Sequence, residues 1–111
     1  DESYGGMGFQ SQGERCSRLL SDPKVRTMIM GNHGVLVIGD SVADTFNRLY
    51  YFERAAETYI RALQTGRPLR VLSDEVAEKT AREWEDFPST APQFLRDLRA
   101  ILDDEGSDYA A

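Results

Sequence analysis

Thr27-Met28-Ile29-Met30-Gly31-Asn32-His33-Gly34-Val35-Leu36-Val37-Ile38 sets the chain's single histidine in a glycine-flanked turn between two short apolar, β-rich runs. Continuous apolar runs bounded by turn residues predict two strands, each buried on both faces. A histidine between them is held by stiff backbone on either side. Neutral imidazole is the commonest protein ligand for a transition metal, and its charge changes nearest neutrality. One histidine is not a site, however. A closed zinc site takes four protein ligands and a catalytic one usually three, whereas this chain holds one His and one Cys. Two readings of His33 therefore stand: a ligand to a metal, or a structural histidine satisfied at a strand end.

Working outward, Asp40-Ser41 offers an N-cap, and from there to about Gln64 runs the longest periodic segment. Val42, Phe46, Leu49, Phe52, Ala56, Ile60 and Leu63 recur at intervals of three and four, the stripe of an amphipathic helix with its apolar face in a core. Gly66 is placed for a left-handed stop. Off the stripe lie Asn47, Arg48, Tyr50, Tyr51, Arg54 and Tyr59. Tyrosine and arginine together have the composition of a subunit interface; the other reading is an exposed face with ion pairs among Glu53, Glu57 and Arg61.

On the N-terminal side, residues 11–21 predict a short helix with Cys16, Leu19 and Leu20 on one face, ended by Asp22-Pro23. Residues 1–11, with Gly5, Gly6 and Gly8 among Tyr4, Met7 and Phe9, read as a loop packed by its own aromatics. On the C-terminal side, Gly66-Arg67-Pro68 reads as a turn in which Pro68 forces Arg67 out of the helical region, and Arg67 and Arg70 read as ion-paired surface groups, with an anionic substrate as the alternative. Ser73 is the N-cap of a further helix whose first turn is acidic, and Trp84 is its packing anchor. Ala91 to Leu102 forms a last helix. The acidic tail after it, with Tyr109, reads as a mobile end.

Composition bounds the remaining classes. The 111 residues are 41% hydrophobic and 29% charged, an ordinary globular balance, and leave room for one modest domain. A net charge of −6 with scattered basic residues argues against a phosphate-backbone binder, so no nucleic-acid partner is expected. No run approaches the roughly twenty apolar residues that cross a bilayer, so no membrane partner is expected either. A lone Cys16 reads as a small apolar side chain rather than a reactive thiol, and it fits a reducing cytoplasm.

Several of these stretches carry a resemblance. Tyr4-Gly5-Gly6, then Gly31-Asn32-His33-Gly34 with Val35 to Gly39, then Ser41-Val42-Ala43 leading to Leu49-Tyr50-Tyr51-Phe52-Glu53-Arg54-Ala55, and finally Pro68 to Glu75, resemble the C-terminal half of the class II aldolase/adducin family. The resemblance implies an α/β fold over residues 1–111, the C-terminal part of a three-layer domain with a few strands, flanking helices and a helix-rich C-terminus. It implies that the N-terminal portion, with a His-x-His and a glutamate, lies outside this chain, which then reads as a fragment. It maps a zinc ligand onto His33 and implies a Zn2+ cofactor completed by ligands from elsewhere. In catalytic members that ion holds the oxygens of a small hydroxy-carbonyl substrate resembling a sugar phosphate, while adducin-like members keep the fold without the metal. The resemblance also implies a ring-like homo-oligomer, commonly a tetramer. On this reading the chain alone is catalytically silent.

Overall fold

The computed structural model describes residues 8–87 and 90–110, which fall into two compact units. The described residues are helix-rich with one small sheet, in the order α1 (Phe9–Leu19), β1 (Thr27–Met30), β2 (Gly34–Val37), α2 (Val42–Gln64), α3 (Asp74–Glu85) and α4 (Thr90–Asp104).

The first unit, residues 1–40, contains α1 and the β1–β2 hairpin. Helix α1 begins two residues earlier than its periodicity predicts. Gly8 is its N-cap, with the Ser11 hydroxyl donating to the Gly8 carbonyl at 3.0 Å. The rest of the glycine-rich loop reading, at Tyr4 to Met7, lies outside the described residues. A turn at Asp22 follows α1, with the Val25 amide on the Asp22 carbonyl and the Lys24 amide on its carboxylate, both at 2.9 Å.

Strands β1 and β2 pair antiparallel, with Thr27 opposite Val37, Met28 opposite Leu36, Ile29 opposite Val35 and Met30 opposite Gly34. Beyond the ladder, the Ile38 amide donates to the Arg26 carbonyl, and the Arg26 guanidinium meets the Asp40 carboxylate at 3.0 Å. The expectation of strands buried on both faces is corrected here. Met28 is buried, but its neighbour Ile29 is 60% exposed. Side chains alternate across a strand, so a two-stranded ribbon covered on one side leaves alternate positions in solvent.

The second unit, residues 41–111, contains α2, α3 and α4. Both predicted caps are present. The Ser41 hydroxyl accepts from the Asp44 amide at 3.1 Å and the Ser73 hydroxyl from the Val76 amide at 3.4 Å. Gly66 ends α2 at φ 67°, a conformation open to glycine at little cost. Helices α2 and α4 pack together through an aromatic cluster, with Phe94 lying 4.9 Å from Tyr50 and 6.0 Å from Phe46 between ring centres.

The stripe on α2 is only partly covered. Phe52 and Ala56 are half-buried, while Val42, Ile60 and Leu63 are more than half exposed. Conversely, Arg48, Tyr50 and Tyr51, read from the sequence as an outward interface, make intramolecular contacts with α3 and α4, and Asn47 is buried. Helical phase says which residues share a face, not which face another helix will cover. Arg54 and Tyr59 do stay exposed, beside ion pairs from Glu57 to Arg61 at 2.6 Å and to Arg54 at 3.7 Å.

The tail also departs from expectation. The Ser107 amide donates to the Leu102 carbonyl, the Gly106 amide to the Asp103 carbonyl, and Gly106 takes φ 68°. This is a Schellman cap, which satisfies carbonyls that a helix end leaves unpaired. Tyr109 then folds back, its hydroxyl 2.8 Å from the Asp103 carboxylate and its ring under Arg99.

Candidate functional site

His33 closes the β1–β2 turn. Its amide donates to the Met30 carbonyl at 3.1 Å, so Met30 to His33 form one tight turn in which Asn32 takes the third position at φ 60°. Turns of type II require positive φ there, and asparagine is among the few residues besides glycine that tolerate it. Gly34, at φ 137°, starts β2 in a conformation that side chains rarely adopt. The local sequence thus forces a sharp reversal and leaves His33 exposed at the hairpin tip.

That placement agrees with the strand-turn-strand reading, but the other donors do not gather there. Among the described residues no group of three or more His, Cys, Asp or Glu side chains is arranged to hold a metal ion. Cys16 is half-buried in α1, in keeping with a small apolar side chain. The donor set of this chain does not by itself fit a zinc site. One imidazole fixes neither the affinity nor the geometry of such an ion.

The strongest electrostatic assembly lies elsewhere, in the second unit, and the sequence did not signal it. The Arg48 guanidinium grips Glu85 of α3 through two hydrogen bonds of 2.7 Å and holds Asp44 of its own helix through Nε at 2.9 and 3.0 Å. Its charged end stacks 5.6 Å from the centre of the Trp84 ring. The paired hydrogen bonds to Glu85, partly opposed by burial and reinforced by Asp44, hold the Arg48 pKa above its ordinary value. A planar guanidinium matches a carboxylate with two parallel bonds, so this group fixes the orientation of α3 against α2. Trp84 completes the contact edge-on to Tyr51 at 6.0 Å, the anchoring role expected of it.

The profile of the Class II Aldolase and Adducin N-terminal domain matches residues 2–60. The chain belongs to this family. The matched segment contains the hairpin, His33 and most of α2, and it ends short of the Pro68 to Glu75 stretch that also carried the resemblance. No curated protein and no solved structure matches the chain. No helix among the described residues is long and apolar enough to cross a membrane.

Proposed function

We propose that this chain is part of a zinc-dependent, class II aldolase-like lyase acting on the C–C bond of a small hydroxy-carbonyl substrate. In this reading its strand pair and helices belong to a three-layer α/β fold, and His33 is one of three metal ligands. The observation that carries the reading is His33 itself, exposed at the tip of a turn shaped by the positive φ of Asn32 and Gly34, inside the segment matched by the family. A metal ligand must be presented at a fixed angle, and a hairpin apex does this without spending binding energy on ordering a loop. The remaining ligands and the acid–base carboxylate would come from outside this chain. A bound zinc ion would supply a Lewis acid for a carbonyl oxygen.

The same reading makes the assembly a cytoplasmic homo-oligomer of the tetramer class. Exposed apolar side chains of the second unit support this, with Ile60 at 55%, Leu72 at 63% and Val71 at 85% exposure. The experiment is metal analysis and an aldol-cleavage assay on the complete protein that carries this chain, wild type beside His33→Ala. Loss of zinc and activity together, with the fold retained, supports the reading. A folded protein that holds no zinc even with His33 in place makes it an adducin-like binding protein instead.

A further inference from the structure

Within the second unit, α2, α3 and α4 enclose an open cavity of about 450 Å³, inside the range of small-molecule sites. Its walls are aromatic, formed by Tyr51, Trp84, Phe87 and Phe94. Its polar lining has a particular character. The Thr80 hydroxyl donates its proton to the Val76 carbonyl at 2.9 Å, and the Thr90 hydroxyl donates to the Phe87 carbonyl at 3.2 Å. Both therefore offer a ligand only lone pairs. Glu83 adds a carboxylate, engaged by Lys79 only at 3.7 Å and in an exposed pair, which is worth little.

Asn47 also lines the cavity. It is buried, at 4% exposure. The lining is thus rich in acceptors and walled in part by π faces, one of which, on Trp84, already stacks a cation in Arg48. Helix α3, which supplies Thr80, Glu83 and Trp84, carries five carboxylates against two cations.

We propose that this cavity binds a small organic ammonium ion with an aromatic or compact apolar body. An ammonium group has three donors and no acceptor, the complement of Thr80, Thr90, Glu83 and the Asn47 oxygen. Its charge is attracted to the aromatic faces and to Glu83. The apolar body packs against the aromatic lining. Neutral and anionic molecules of the same shape lose the first contribution, and the anion meets Glu83 as a like charge. The proposal does not depend on the metal reading of His33.

The chain's single tryptophan lines the cavity, so its fluorescence reports occupancy directly. The test is a titration of the full chain with 2-phenylethylammonium, with 2-phenylethanol as the neutral isostere and 3-phenylpropanoate as the anion. The ammonium ion should give a saturable change and bind at least roughly tenfold tighter than the alcohol, and the carboxylate more weakly still. Glu83→Gln, at an exposed position, should leave the circular-dichroism spectrum unchanged and shrink the ammonium preference to about threefold or less. Asn47→Ala, if it folds, should weaken the ammonium ion and the alcohol alike. Equal affinity for all three probes, no saturable change, or an ammonium preference untouched by Glu83→Gln would overturn the proposal.

Discussion

Replacing Arg48 should loosen α3 from the rest of the second unit, and the structure sets the size of the effect. The Arg48 side chain is 12% exposed, and its guanidinium joins Asp44, at 22%, to Glu85, at 51%. Exposed ion pairs are worth about 0.2–1 kcal/mol, and the bidentate geometry places the Arg48–Glu85 pair near the top of that range. Stacking on Trp84 adds about 0.5–1 kcal/mol. Arg48→Met, which keeps the stem of the side chain, should therefore destabilise the second unit by about 2 kcal/mol, and Glu85→Gln by about 1 kcal/mol. In a double-mutant cycle the two should couple by about 1 kcal/mol, since each single change already removes the shared pair.

Urea unfolding followed by the fluorescence of Trp84 is the assay, because that residue sits at the contact itself. The pairing raises the Arg48 pKa, so its contribution is complete below the unfolded-state value and fades only as pH climbs through the higher folded-state one. The coupling should accordingly stay constant between roughly pH 6 and 10, where arginine does not titrate. A coupling below about 0.3 kcal/mol, or one that falls away within that window, would refute the argument that Arg48 orients α3.

Asn32→Gly should leave hairpin stability nearly unchanged, whereas Asn32→Val should lower it by about 1–2 kcal/mol because a β-branched residue resists positive φ; hydrogen exchange of the β1 and β2 amides reads both. Ser41→Ala should cost the second unit about 1 kcal/mol through loss of the cap on Asp44, seen as a lower urea midpoint. Gly106→Ala should cost about 1 kcal/mol even though a methyl group there meets nothing within 4 Å, since the cost is one of conformation. Ile60→Lys should lower the mass measured by light scattering on the complete protein if the exposed face of α2 is a subunit contact. An unchanged mass would remove that face from the assembly.

Local signals were the legible part of this chain. The hairpin was readable because Gly31, Asn32 and Gly34 permit backbone that other residues resist, and the starts of α2 and α3 because serine hydroxyls cap free amides in any context. The start of α1 was missed at Phe9 because the glycines beside it argue against a helix, and the cap at Gly106 was hidden in a run of acids that looks like a solvated tail. What was not legible was partnership. Nothing in the spacing of Asn47, Arg48, Tyr50 and Tyr51 says that α3 and α4 cover them, because that depends on two turns whose angles no side-chain period encodes. The candidate site was legible to the extent of one residue. His33 stands out by its flanks, but no second histidine or cysteine stands at a metal-ligand spacing from it.

Zinc content of the complete protein, wild type against His33→Ala, is the most direct test of the central claim. Purified under metal-controlled conditions, the wild type should hold about one zinc per protomer and the variant close to none, with circular-dichroism spectra that superimpose. Stoichiometric zinc in a correctly folded His33→Ala protein would contradict the claim that this hairpin presents a metal ligand.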